Sequence, residues 1–320
     1  MWPALLLELG VCSTEHYANR AKVPGPRSRD PRFAYTLLRT SSPASPAELE
    51  RFEDVLQDLG HSTGVYRTTT ARRFESLDLF LMPILQARFP RDAPLVAEDW
   101  AASACITSAE WFQLLQQSFP NARVTASDLY LHLAEIVLPG GRESFIVEPG
   151  GQPLQYIRPP FVIPLSQRES AWLPVNRWLQ ARAMKRFERL KLDETGESSR
   201  KISLIHPTAL ALTRSCQAFR IEKHSIFELR PELCDAIRTM NILNCIYFDA
   251  TRLTECMRAV WRSLHVHGLW VVGRTFEERK ASTPARNHAS VLEKTPEGFR
   301  LVGRHGAASE VEDLALALRM

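Results

Sequence analysis

Pro94-Leu95-Val96-Ala97-Glu98-Asp99-Trp100 reads as a short buried strand, and the passage leading out of it decides the fold. Ala101 to Trp111 (AASACITSAEW) is a run of small residues passing into a helix that continues through Leu115. Phe119-Pro120-Asn121-Ala122 turns the chain, and Arg123-Val124-Thr125-Ala126-Ser127-Asp128 is a second strand ending in an acid. Strand, small-residue turn, helix, strand and acid is how a doubly wound α/β sheet begins. The 29-residue distance from Asp99 to Asp128 fits one βαβ passage.

Upstream, Ser45-Pro46-Ala47-Glu48 combines a cap, a proline in the first turn and an early acid, and starts a helix over about 46–59. A second helix over 71–88 carries Phe74, Leu77, Leu79, Leu81, Ile84 and Leu85 on an apolar face suited to a sheet. The Arg-, Pro- and Ser-rich residues 20–49 read as an extended leader. Downstream, residues 145–164 form a hairpin around Pro149-Gly150-Gly151, residues 175–190 a helix with basic residues beside Trp178, and Asp193 to Arg200 a solvated turn. The α/β pattern then resumes. A helix at 207–215 precedes strands near 219–222 and 235–237, and a helix over 251–264 leads into the buried strand Leu269-Trp270-Val271-Val272. Two strands near 289–293 and 298–303 and a helix over 310–318 close the chain.

The expectation is a Rossmann-like, doubly wound, mostly parallel sheet with an antiparallel C-terminal strand, plus N-terminal helices and an inserted hairpin-helix lid. Residues 1–90 are read as leader and helical region, and 91–320 as the α/β domain. The insertion, at about 129–200, is placed over the carboxyl edge of the sheet, where open α/β folds bind ligands.

Composition narrows the function classes. The 320 residues are 45% hydrophobic, which excludes global disorder, and 40 basic against 36 acidic residues give +4, too mild a balance to imply nucleic acid. The cysteines Cys12, Cys105, Cys216, Cys234, Cys245 and Cys256 form no CxxC pair, so reduced thiols in a cytoplasmic protein are expected and zinc is not. No histidine spacing suggests a metal, and no apolar run is long enough to span a membrane.

Taken together, the strand order, the stretch Arg238-Thr239-Met240-Asn241-Ile242-Leu243-Asn244-Cys245-Ile246-Tyr247-Phe248-Asp249 and the turn Trp100-Ala101-Ala102 with Cys105 and Thr107 resemble the class I S-adenosylmethionine-dependent methyltransferases. The pattern is most similar to their chemotaxis-receptor branch, over roughly 94–128 and 216–302. The resemblance implies S-adenosyl-L-methionine as cofactor and methyl transfer to an O or N acceptor. It implies cofactor contacts at Asp99, Ala101, Ser103, Asp128, His224 and Asn241, and catalytic or positioning roles for Asn241, Tyr247 and Arg238.

Three departures stand beside it. Residues 99–105 hold no glycine where close backbone approach is needed, so any left-handed residue there is strained. His224 stands where the family favours an acid, and the 238–248 block is two residues longer. A catalytically inactive, methyltransferase-like scaffold or binding partner is therefore the alternative reading. An apolar surface at Tyr156 to Leu165 or at Trp172-Leu173 suits it. The acceptor is a small molecule, peptide or protein selected by the insertion, which equally reads as a homodimerisation arm. A nicotinamide-dependent reductase is disfavoured by the absence of GxGxxG after the first strand.

Overall fold

The computed structural model describes residues 12–13, 34–58, 69–159, 161–165, 174–192, 198–276 and 286–320. Trp172-Leu173, residues 20–33 of the expected leader and residues 193–197 of the expected turn lie outside them. The chain divides into two compact units, one of residues 1–69 with 130–207, the other of residues 70–129 with 208–320. This differs from the expected division: the N-terminal region and the insertion belong to one unit, and the helix near 75 belongs with the α/β core.

The α/β unit is a seven-stranded sheet. In chain order its strands are β2 (Val96–Trp100), β3 (Arg123–Asp128), β9 (Phe219–Lys223), β10 (Cys234–Met240), β11 (Leu264–Phe276), β12 (Arg286–Thr295) and β13 (Gly298–His305). Across the sheet the order is β13-β12-β11-β10-β2-β3-β9. The five strands from β11 to β9 run parallel, and β12 is antiparallel to both its neighbours. The order reverses after β9, the topological switch that opens a crevice at the strands' carboxyl ends. The Rossmann-like expectation holds, and β11, β12 and β13 close the sheet as a meander.

Helices cover both faces. Helix α2 (Glu75–Gln86) and helix α3 (Ile106–Ser118) lie on the face of Arg238 and Asp99, where α2 supplies Asp78 and α3 supplies Trp111. Helix α5 (Pro207–Ser215) leads the chain into β9. On the other face, helix α6 (Ala250–Ser263) sets Leu253, Met257 and Val260 against Trp100, Ile237, Trp270 and Val272. Full burial of each such side chain is worth about 1.5–3 kcal/mol. Asp249 caps α6, its carboxylate accepting the Arg252 amide at 2.8 Å. Helix α7 (Glu312–Ala317) adds Ala315 to the same core. No helix crosses from β9 to β10. Residues 224–233 make that connection, fixed by the buried Ile226 and by Arg230, which bonds Glu98 at 2.7 Å and Glu222 at 3.1 Å.

The other unit is built on a six-stranded antiparallel sheet. Strands β1 (Cys12–Ser13), β4 (His132–Val137), β5 (Ser144–Val147), β6 (Pro153–Arg158), β7 (Phe161–Pro164) and β8 (Ser198–Ser203) lie in the order β1-β7-β6-β5-β4-β8. Helix α4 (Pro174–Leu192) covers one face with Ala183 and Phe187 on Phe145, Val147 and Tyr156. The opposite face meets the N-terminal segment. There the Tyr35 amide of a short 3-10 helix donates to Gln155 Oε1 at 3.0 Å, and Arg39 pairs with Glu135. Helix α1 (Pro46–Asp58) sets Phe52 edge-on against His206. The insertion is thus most of a sheet rather than a hairpin and a helix. The expected turn ends in β8, and residues 132–137 form a strand the sequence reading passed over.

Candidate functional site

The carboxyl ends of β2, β3, β9 and β10 bring most of the expected site residues together. The turn after β2 is held by backbone bonds: the Ala102 amide donates to Ser127 O at 2.9 Å and the Cys105 amide to Ala102 O at 2.9 Å. Ala101, Ser103 and Cys105 alternate in the left-handed region at φ 56°, 56° and 61°. The chain therefore makes, without glycine, the backbone path that glycine makes easily, at about 1–2 kcal/mol per residue. Strain kept at alternating positions marks a segment whose path is held by its surroundings.

Asp128, at the end of β3, ties this turn to the next strand: its Oδ2 accepts the Ser103 amide at 2.8 Å. Its carbonyl accepts the amide of His224, the first residue after β9, at 3.2 Å. The three strand ends thus interlock through Ser103, Asp128 and His224. His224 packs edge-on against Trp100, with ring centroids 4.8 Å apart, and its Nδ1 lies 3.8 Å from Glu228 Oε2. Burial, with Arg230 nearby, lowers its pKa to about 4, so the ring is neutral at pH 7. Its Nε2 is buried without a hydrogen-bond partner. The same is true of Ser103 Oγ and of Ser127 Oγ, whose residue stands opposite Trp100 in the sheet register. Each unpaired buried polar group costs about 1–3 kcal/mol, and three of them at adjoining strand ends fit a polar ligand.

Two expected residues are otherwise engaged. Arg238 is fully buried, with Nε and Nη2 on Asp99 at 3.1 and 2.6 Å, Nη1 on Asp78 at 2.6 Å, and Nη2 also on Thr107 O at 3.1 Å. Its guanidinium lies 4.5 Å from the Trp111 ring centre and 5.1 Å from that of Phe74. Asp99 Oδ2 accepts the Ser108 hydroxyl at 2.6 Å as well. Arg238 and Asp99 therefore meet each other within the sheet's helix-covered face, and neither is placed to touch a ligand. Burial drives the Asp78 pKa up to about 7 despite the neighbouring Arg238.

Asn241 follows β10 at φ 65°. Its amide group is spent on β11: Oδ1 accepts the Thr275 amide at 2.6 Å and Nδ2 donates to Thr275 Oγ1 at 3.2 Å. It fixes the end of β10 rather than presenting a free amide. Asn244, buried, accepts the amides of Ile246 and Tyr247, each at 3.0 Å, and thereby displays both side chains. Tyr247 is 43% exposed and Ile246 is 74% exposed.

Sequence reasoning missed Asp78, Ser108 and the Glu98–Arg230–Glu222 network. One signal was available: CDAIRTM and VAEDW each set a charge inside a buried strand, and such charges must pair. Among the described residues no group of three or more His, Cys, Asp or Glu is arranged to hold a metal, and no helix is long and apolar enough to cross a membrane. Cys216, Cys234, Cys245 and Cys256 are free thiols.

No family model and no curated protein matches this chain. Among solved structures, the chain is similar to the CMeT domain of the citrinin polyketide synthase, at 16% identity and a TM-score of 0.34, over 73% of this chain and 41% of that one. It is similar to the sugar N-methyltransferase KedS8 from Streptoalloteichus, at 14% identity and a TM-score of 0.31, over 81% and 87%. The mitomycin 7-O-methyltransferase MmcR matches at 14% identity and a TM-score of 0.29, over 88% and 52%. The chain thus spans about two fifths of the citrinin protein's length and about half of MmcR's. Likeness this distant establishes neither family nor activity, and the chemotaxis-receptor branch gains no support from it.

Proposed function

We propose that the carboxyl edge of the seven-stranded sheet binds the adenosyl portion of S-adenosyl-L-methionine and that the protein transfers its methyl group to an O or N acceptor. The observation that carries this reading is the set of buried, unpartnered polar atoms at adjoining strand ends: Ser103 Oγ, Ser127 Oγ and His224 Nε2. A hydroxylated, nitrogen-rich ligand supplies partners for all three.

In this reading Asp128 accepts from the ribose hydroxyls while holding Ser103, and neutral His224 offers Nε2 as donor or acceptor according to tautomer. The left-handed turn over Ala101, Ser103 and Cys105 brings backbone toward the ligand. The bound cofactor supplies an electrophilic methyl group on a sulfonium. The chain supplies position: Asn241 holds the end of β10, and Asn244 displays Tyr247, whose phenol is the side chain to meet an acceptor. Arg238 and Asp99 serve as scaffold beneath the site.

A second reading, ligand binding without catalysis, is favoured by the engagement of Asn241 and Arg238 within the protein. Calorimetric titration with S-adenosylhomocysteine tests the first step. Saturable binding weakened at least about tenfold in His224→Phe and in Asp128→Ala is expected, the loss of one or two hydrogen bonds. Absence of binding to the wild-type chain sinks the adenosyl reading altogether. Binding with Tyr247→Phe and wild type equally unable to consume S-adenosyl-L-methionine across acceptor classes favours the second.

A further inference from the structure

The six-stranded unit holds a cavity of about 610 Å³ between strands β6 and β7 and helix α4, a volume in the range of small-molecule sites. Its walls are aromatic and aliphatic, with Tyr156 and Phe161 from the strands and Trp178 and Leu179 from the helix. Register explains the wall: Tyr156 stands opposite Ile163 and Arg158 opposite Phe161, so all four share the face that α4 covers. At the end of β7 the helix keeps hold through Gln180, whose amide donates to Pro164 O at 2.8 Å. Trp178 is 58% and Phe161 44% exposed, two large aromatic side chains left open at one cavity.

The charges there do not balance. Arg158, Arg182 and Arg186 line the cavity. Arg158 and Arg186 share one carboxylate, Glu143, at 3.3 and 2.5 Å, and Arg186 also donates to the Tyr156 hydroxyl at 3.1 Å. Arg182 has no carboxylate partner among the described residues, and its guanidinium lies 5.5 Å from the Trp178 ring centre. Stacking of this kind leaves the guanidinium edge, with its forked donors, open to a carboxylate. Among the described residues, three cations against one anion, around aromatic walls, favour a ligand with a flat apolar body and one negative end.

We infer that this cavity is a binding site for aromatic carboxylates, with Arg182 pairing the carboxylate and Trp178, Phe161 and Tyr156 enclosing the rings. The site is built wholly from residues of one unit and stands whether or not the sheet edge of the other binds an adenosyl ligand.

The test uses the full chain and two probes of equal shape, biphenyl-4-carboxylate and the neutral biphenyl-4-methanol, in calorimetric titration. Saturable binding of one carboxylate per chain is expected, with affinity for the alcohol at least about tenfold lower, as for loss of one charge-assisted pair. Arg182→Gln removes most of the preference for the acid, and Trp178→Ala weakens both probes; both residues are exposed enough for the fold to survive. Asp128→Ala binds biphenyl-4-carboxylate as wild type does, which separates this site from the adenosyl one. No saturable binding, equal affinity for acid and alcohol, or an Arg182→Gln variant that keeps the preference overturns the assignment.

Discussion

Arg238 and His224 are both buried polar side chains on one seven-stranded sheet, and they are treated in opposite ways. Arg238 has four hydrogen bonds to Asp78, Asp99 and Thr107, and two aromatic rings over its guanidinium. His224 has a bonded backbone, an aromatic neighbour and an Nε2 with nothing to bond. A buried charge is tolerated only when its neighbours complete it, so Arg238 belongs to the scaffold. A buried polar atom left incomplete either lowers stability for no return or waits for a partner from outside. The same protein interior thus separates what holds the sheet from what is left open to the proposed ligand.

The largest effect that tests this contrast is the loss of Arg238. Arg238→Met leaves Asp78 and Asp99 facing each other, buried and without their cation, and is expected to cost about 3–5 kcal/mol in chemical denaturation. His224→Phe exchanges an incomplete ring for an apolar one beside Trp100 and is expected to leave stability equal or higher while weakening the proposed binding of S-adenosylhomocysteine. If Arg238→Met is tolerated as easily as His224→Phe, the division between scaffold and site fails.

The two regions also answer pH in opposite directions. Burial raises Asp78 to about 7 from an ordinary 3.8, so the folded chain holds that proton more tightly than the unfolded one. Its contribution is fully present below about pH 4 and is lost as pH rises through about 7. Burial lowers His224 to about 4 from an ordinary 6.5, with Arg230 adding to the shift and Glu228 and Glu222 opposing it. That contribution is present above about pH 6.5 and is lost as pH falls toward 4. Between these limits the two slopes oppose each other, and the wild-type stability is expected to change little. Asp78→Asn exposes the histidine slope, a gain of about 1–3 kcal/mol from pH 4.5 to 6.5, and His224→Phe exposes a fall of similar size. Urea denaturation of the three proteins across that range checks both, and parallel profiles for all three refute the opposition of the two slopes.

The sheet was legible because several of its strands are compact, largely buried runs separated by turn punctuation. Val96 to Trp100, Arg123 to Asp128 and Leu269 to Val272 stand where the pattern places them, since burial on both faces selects such runs. Strand β8 was not legible: Ser198 to Ser203 is polar, and only its pairing with β4 makes it a strand. The joining of residues 1–69 to the insertion was hidden for a related reason, since contacts such as Arg39 with Glu135 lie 96 residues apart. At the site, residue types gave Asp128 and His224 a place, because strand ends converge. They could not tell that Asp99 and Arg238 meet each other, because that depends on register across neighbouring strands.

The smallest effect concerns the turn itself, and it separates two neighbours by sign. Ala101 sits at φ 56°, whereas Ala102 beside it has no positive φ. Glycine at 101 relieves a left-handed alanine, worth about 1–2 kcal/mol, against about 0.5–1 kcal/mol of added freedom in the unfolded chain. Ala101→Gly is therefore expected to stabilise the protein by about 0.5–1 kcal/mol, while Ala102→Gly, which relieves nothing, costs a similar amount. Thermal denaturation of the pair, read side by side, checks the difference, and equal destabilisation by both shows that the turn does not take the left-handed path. The ligand adds a second axis to the same pair. If the backbone path is what meets the adenosyl group, Ala101→Gly keeps the affinity for S-adenosylhomocysteine, because glycine takes that path without strain. Loss of affinity on relief of the strain would instead assign the contact to the Ala101 side chain, and with it a site unlike the glycine turns this sequence resembles.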